Sequence, residues 1–282
     1  MNFECESNNP KKLANIFESV NPVLENGNLT IHSKGIYLSG IDPSHVAFLK
    51  LMIKKEYFQN FNLINENKDV DDEESNDNFS ENKKNIIYIG LDFKIFIKIL
   101  KSSEKNDSII LKYQEDKDYL SITIKNNSIK RNFHLKLLDL ENNKINIPKI
   151  NYNLNIEMRS IQYERIISSF DIVDSKYIEI SSDKTKVILR SNSHLSESEV
   201  ILEKNDRDTK ENKNYLIINN KYVKPTSYNL EKLKSFLKGN CLNDKVNISL
   251  NENFPIKISY EIEEKNNSSL TYYLAPKIDD DE

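Results

Sequence analysis

Through most of the chain, apolar residues alternate with polar ones over short runs bounded by Asn, Asp, Ser or Lys. A period of two sends one set of side chains to a buried face, so such runs predict strands. In the first half they cover residues 28–33, 35–38, 46–53, 86–89, 108–113, 119–125 and 133–138. In the second half they cover 154–158, 177–181, 186–190, 199–203, 215–218, 246–250, 256–262 and 270–274. Four segments break the alternation and predict helices: 11–20, 93–101, 161–170 and 228–238. At about 100° per residue, Leu13, Ile16, Phe17 and Val20 form one stripe, with Lys11, Asn15 and Glu18 opposite. Pro10 suits the first helical position. In the second helix Asp92 is placed to cap, Phe93, Phe96, Ile99 and Leu100 share one side, and Lys94, Lys98 and Lys101 share the other. The third, with Ser160 as cap, sets Tyr163, Ile166, Ile167 and Phe170 against Arg165 and Ser168. The fourth, with Ser227 as cap, sets Leu230, Leu233, Phe236 and Leu237 against Lys234 and Lys238.

Each half therefore reads as strand, helix, several strands, helix, several strands: a duplicated architecture in the α+β class, with two helices on one face of the sheets. A polar join at 139–149, ending in Ile147-Pro148, separates a first domain (1–138) from a second (150–282). Residues 66–84 carry eight acids and three lysines with almost no apolar side chain, and are expected to form an exposed, disordered insertion. They also change the picture of charge. The formal net charge is −4, but without this insertion and the acidic tail Asp279-Asp280-Asp281-Glu282 there remain 37 Lys and Arg (40 less 3) against 32 Asp and Glu (44 less 12). An acidic total thus does not exclude an anionic partner.

Little points to catalysis. The five glycines, Gly27, Gly35, Gly40, Gly90 and Gly239, form no phosphate-cradling loop. His32, His45, His134 and His194 stand far apart, with no metal-ligand spacing to a Cys or to each other. No G-x-S-x-G elbow occurs. Neither a metal, nor a cofactor, nor an enzymatic activity is expected. Cys5 and Cys241 are expected as free thiols in a reducing, intracellular setting, with no secretory signal and no apolar run of membrane-spanning length.

The C-terminal run Leu270-Thr271-Tyr272-Tyr273-Leu274-Ala275-Pro276-Lys277-Ile278 closely resembles the end of the proliferating cell nuclear antigen family, the DNA sliding clamps. Three further stretches match it in order: Gly40-Ile41-Asp42-Pro43-Ser44-His45-Val46, Lys98-Ile99-Leu100-Lys101, and Lys136 to Leu140 continuing through Ile145-Asn146-Ile147-Pro148. The resemblance spans nearly the whole chain outside the insertion. It implies the DNA clamp fold, two similar domains that close as a homotrimeric ring with helices lining the hole, and 139–149 as interdomain connector. It implies DNA-facing roles for Lys11, Lys12, Lys98, Lys101, Arg165 and Lys238; Lys94 faces the same way by periodicity. It implies a groove for a Gln-anchored peptide with an apolar-aromatic plug, built from Ile41, His45, Val46, Phe48, Leu140, Ile145, Ile147, Pro255, Tyr273, Leu274, Ala275 and Pro276. Implied partners are duplex DNA without sequence preference, further copies of the chain, a DNA polymerase, an ATP-driven clamp loader and other peptide-bearing proteins, in the nucleus or at a cytoplasmic viral replication site. Glu18 and Ser168 stand where a basic residue is usual, the connector is less acidic than usual, and Lys184 matches a modified lysine in altered surroundings. Competing readings are a subunit of a heterotrimeric checkpoint-type clamp, a monomeric processivity factor gripping DNA directly, and an enzyme.

Overall fold

The computed structural model describes residues 1–64, 86–141, 150–183, 185–203, 216–220, 222–263 and 267–277; of 216–220 and Val173 only the backbone is described. The acidic insertion, Ile145, Ile147, Lys184 and the acidic tail lie outside the described residues. The first half supplies strands β1 (Asn2–Ser7), β2 (Asn26–His32), β3 (Gly35–Ile41), β4 (Ala47–Lys54), β5 (Asn60–Ile64), β6 (Ile87–Asp92), β7 (Ser108–Gln114), β8 (Tyr119–Lys125) and β9 (Lys130–Lys136). The second supplies β10 (Leu154–Arg159), β11 (Tyr177–Ser182), β12 (Lys186–Asn192), β13 (Glu197–Glu203), β14 (Leu216–Asn220), β15 (Val223–Asn229), β16 (Lys245–Leu250), β17 (Ile256–Glu263) and β18 (Ser268–Leu274). The helices are α1 (Pro10–Val20), α2 (Phe93–Lys101), α3 (Ser160–Ser169) and α4 (Leu230–Phe236).

Three sheets form, and every strand pairing described is antiparallel. One five-stranded sheet (β5-β1-β7-β8-β9) belongs to the first half and one four-stranded sheet (β13-β12-β11-β15) to the second. Between them a nine-stranded sheet runs β14-β10-β16-β17-β18-β4-β3-β2-β6, crossing from one half to the other where β18 pairs with β4. In that pairing Tyr272 faces Leu49 across the ladder and Tyr273 faces Phe48. The strongest sequence match therefore lies at the seam between the halves.

The helices cover one face of these sheets. Leu13, Ile16, Phe17 and Val20 are buried, and Phe17 meets Phe96 of α2 edge-on at 4.8 Å between ring centres. α1 packs beside α2, α3 beside α4, and α1 also meets the 3-10 turn Leu237–Cys241 that follows α4. There the Ser19 hydroxyl donates to the Lys238 carbonyl at 2.9 Å. The four helices thus run in one row, α2, α1, α4, α3, across both halves.

Several elements differ from the sequence expectation. The fourth helix begins at Leu230, not 228, because β11 claims the preceding residues: Ser227 lies opposite Glu179 and Tyr228 opposite Ile178. Its cap is Asn229, whose side chain accepts from the Lys232 N–H at 3.0 Å, rather than Ser227. In the third helix Ser160 does not cap. It is the first helical residue, follows Arg159, and spends its hydroxyl on the Asn243 carbonyl at 2.5 Å. The strand expected at 133–138 is β9, 130–136, since Leu137 and Leu138 leave the ladder for β8 and β6 neighbours. β1 and β15 carry few apolar residues, and neither they nor β5, whose sequence is Asn-Phe-Asn-Leu-Ile, are among the strands that the alternation predicts.

Candidate nucleic-acid interface and partner groove

Each helix of the row presents a cation. Lys11 on α1, Lys94, Lys98 and Lys101 on α2, Arg165 on α3 and Lys238 just past α4 are all exposed. They point away from the sheets because the opposite stripe of each helix is buried. Lys98 and Lys101 sit in the last turn of α2, where the helix dipole favours positive charge. Acids tether part of the set. Lys12 is half-buried, with its Nζ 2.9 Å from Glu263 of β17 and 5.8 Å from the centre of the Tyr57 ring. Lys101 lies 2.7 Å from Glu18, and Lys234, which belongs to the same row, lies 2.8 Å from Asp171. Such a surface offers mobile ammonium groups and few rigid donors. It suits phosphate oxygens, which carry charge without sequence information.

The second candidate site lies on the other side of the nine-stranded sheet. Tyr272 is fully buried toward the helices, where its hydroxyl donates to the Ser19 carbonyl at 2.5 Å and its ring stacks on Phe236 at 4.4 Å. Alternation along β18 then turns Tyr273 to the opposite face. There its ring lies 5.8 Å from that of Phe48. Ile41 pairs with Phe48, and Pro255 precedes Ile256, which pairs with Leu274, so these residues share one neighbourhood. The Ala275 N–H donates to the Val46 carbonyl at 2.8 Å, bringing the C-terminal segment against the loop that carries His45 and Val46. Pro276 is half-exposed beside it. Leu274 is fully buried, so its contribution is to anchor the strand. Tyr152, absent from the sequence reading, also belongs here: its hydroxyl donates to the Pro255 carbonyl at 3.4 Å, and burial and the neighbouring Tyr273 push its phenol up.

The loop after β3 is built around one carboxylate. Asp42 is 1% exposed, and its Oδ1 accepts from the N–H groups of Val46 at 3.0 Å and Ala47 at 2.8 Å. Its Oδ2 accepts from the Ser44 hydroxyl and from Lys232 Nζ of α4 at 2.5 Å. Burial pushes the Asp42 carboxyl up, but the bonds from Lys232, Ser44 and the Ala47 N–H outweigh it and hold it at about 2. His45 is left exposed in a left-handed conformation, φ 58°.

The start of the connector is fixed on the far edge of the same sheet. The Leu138 N–H donates to the Gly90 carbonyl at 2.9 Å, and the Asn28 amide donates to the Leu140 carbonyl at 3.0 Å. A Cβ at Gly90 would stand 2.1 Å from the Leu138 carbonyl oxygen, so only glycine admits this approach. Leu140 is thereby held beside β2 and β6. At the connector's other end the Asn153 N–H donates to the Leu250 carbonyl of β16 at 3.1 Å. Among the described residues no group of three or more His, Cys, Asp and Glu is placed to hold a metal ion.

Two family models match the chain: "Proliferating cell nuclear antigen, N-terminal domain" over residues 2–68 and "Proliferating cell nuclear antigen, C-terminal domain" over residues 146–277. The chain belongs to the proliferating cell nuclear antigen family. Among its relatives is the DNA polymerase sliding clamp of Methanococcus vannielii, 25% identical over 277 residues, 98% of each chain. Proliferating cell nuclear antigen 1 of Plasmodium falciparum is 25% identical over 291 residues, 99% of this chain and 98% of its own. The crystal structure of the proliferating cell nuclear antigen from Entamoeba histolytica superposes with a TM-score of 0.80 over 98% of this chain and 99% of its own, at 23% identity, and so shares the fold.

Proposed function

We propose that the protein is a DNA sliding clamp, a non-enzymatic subunit that closes with copies of itself around duplex DNA and tethers replication and repair enzymes through the groove. The observation that carries this reading is the single row of four helices, each with an outward cation, spanning both halves of the chain on the face opposite the groove. One subunit presents such a row as an open surface, so encirclement needs further copies. Lys11, Lys94, Lys98, Lys101, Arg165 and Lys238 contact phosphates, with Lys12 partly withheld by Glu263. The groove takes a Gln-anchored peptide against Ile41, His45, Val46, Phe48, Tyr273 and the C-terminal segment, and the resemblance adds Leu140, Ile145 and Ile147 of the connector to its contacts.

Self-association has support of its own. Among the described residues, β9 and β13 each end a sheet and pair on one side only. β9 carries Lys130, Arg131, His134 and Lys136, whereas β13 carries Glu197, Glu199 and Glu203. Laid antiparallel, the two strands set Lys130 against Glu203 and Lys136 against Glu197. Unpaired edges invite pairing with another chain, and two different edges meet head to tail, a contact that closes into a ring when the rotation allows. Three subunits, the family's number, complete the homotrimer. Its place is wherever the DNA is replicated, the nucleus in a eukaryotic cell.

Loading onto a nicked circular plasmid by a clamp loader tests the encirclement. The protein is expected to stay with the circle in low-salt gel filtration and to leave when a single cut linearises it. Equal retention on circle and line contradicts a closed ring.

A further inference from the structure

We propose that Lys232 is a positioning residue for the groove: through Asp42 it holds the loop 42–47 in its docking shape, so that peptide affinity is set from the helix side of the molecule. The inference rests on the groove reading above and deepens it.

The loop reverses direction within a few residues, and nearly every closing contact returns to Asp42. Its carboxylate gathers the N–H groups of Val46 and Ala47 and the hydroxyl of Ser44. Its own N–H donates to the Ala47 carbonyl at 2.9 Å, and its carbonyl accepts from the His45 N–H at 2.9 Å. These closures force His45 to φ 58°, a conformation that non-glycine residues adopt only when their surroundings over-determine it. Asp42 therefore fixes the loop, and what fixes Asp42 decides the loop's shape.

Among the described residues the cation on Asp42 is Lys232, which comes from the other half of the chain. Asp42 is 1% exposed, so its charge is not left to water, and a buried carboxylate deprived of its cation is strongly destabilised. Lys232 is itself preorganised: its backbone N–H is held by the Asn229 cap at 3.0 Å, in the first turn of α4. The remaining restraint comes from the C-terminal segment, where Ala275 donates to Val46 at 2.8 Å. The loop thus sits between α4 and the tail of β18, with the side chains of His45 and Val46 left outward for a ligand. Withdrawing the Lys232 ammonium releases Oδ2, lets the carboxylate turn toward water, and loosens the two N–H bonds that shape those outward residues.

The test compares the full-length protein with Lys232→Met and Lys232→Arg in titrations of a labelled peptide bearing a glutamine and two aromatic residues. Thermal melting and the NMR signals of the histidine rings are recorded on the same samples. Expected is about a tenfold loss of affinity in Lys232→Met. The His45 signals move, those of His32, His134 and His194 stay, and Lys232→Arg recovers affinity to within about threefold of the starting protein. Unchanged affinity in a folded Lys232→Met overturns the proposal. So does lost affinity with an unmoved His45, because the effect then comes from somewhere other than the loop. If Lys232→Met does not fold, Lys232→Ser, whose side chain is too short to reach Oδ2 and leaves room for water beside the carboxylate, gives the same readouts, and unchanged affinity there is equally decisive. A starting protein that does not bind the peptide overturns the groove reading and this proposal with it; a starting protein that binds, with variants that match it, overturns this proposal alone.

Discussion

The adjacent tyrosines at the seam are expected to respond to mutation in opposite ways. Tyr272→Phe keeps the ring and its stack on Phe236 at 4.4 Å, but removes the hydroxyl that donates to the Ser19 carbonyl at 2.5 Å. Burial holds that phenol well above its ordinary range, so it remains a donor throughout the accessible pH scale. A buried hydrogen bond contributes about 1 kcal/mol net, and stranding a buried acceptor adds to the loss, so the expected cost is about 1–2 kcal/mol. In a chain of this size that corresponds to a melting temperature lower by about 3–6 °C. Peptide affinity should stay within about twofold, because Tyr272 is fully buried on the helix side. Tyr273→Ala removes a half-exposed ring that meets Phe48 at 5.8 Å. It should lower the melting point less while weakening the peptide at least about tenfold, as loss of a central aromatic contact does. Thermal melts at one fixed protein concentration, paired with anisotropy titrations, read both quantities; the concentration is held because assembly shifts apparent stability. If Tyr272→Phe melts unchanged, or if it weakens the peptide as much as Tyr273→Ala, the assignment of the two tyrosines to opposite faces is wrong.

Asp42, held at about 2 against an ordinary 3.8, has a depressed folded pKa, so its share of stability is present above about pH 4 and is lost as the pH falls toward 2. Urea melts across that window should show at most about 2 kcal/mol of acid-labile stability, and Asp42→Asn should flatten the dependence while lowering stability at neutral pH. Replacing Lys94 and Lys98 by alanine should lower the slope of log affinity for duplex DNA against log salt by about 2, roughly one per phosphate contact; an unchanged slope removes both from the DNA-facing set. Gly90→Ala places a Cβ 2.1 Å from the Leu138 carbonyl oxygen. Amide exchange should then quicken at Leu138, which donates to Gly90 at 2.9 Å; unchanged exchange there contradicts the close approach.

Much of this was legible in the sequence because burial leaves a period. The stripes of α1 and α2 were readable from Leu13, Ile16, Phe17, Val20, Phe93, Phe96 and Leu100, all of them buried. The second helix was legible to its ends, since Asp92 is its cap and accepts from the Ile95 N–H at 2.9 Å. The start of α4 was not, because Tyr228 fits a helical stripe as well as a strand, and only its pairing with Ile178 decides between them. β1 and β15 escaped notice because β1 offers just Phe3 and Cys5 as apolar positions and β15 contains Pro225 among polar residues. At the candidate sites, residue types showed which side chains are cationic but not which are engaged. That Lys12 leans on Glu263, or that Lys232 spans the seam to Asp42, depends on contacts between residues 251 and 190 positions apart. No local pattern encodes such contacts. Gly90 carried a signal that could have been read, since a glycine inside a strand marks close backbone approach.

Whether unlike strand edges join copies of this chain head to tail into a ring is tested most directly by the mass of the protein in solution. Static light scattering at micromolar concentration should give about 99 kDa, three times the 33.0 kDa of one chain, and Lys130→Glu with Lys136→Glu should bring it down to that single-chain mass. A chain that runs at 33.0 kDa before any mutation, or a trimer indifferent to both substitutions, contradicts the account.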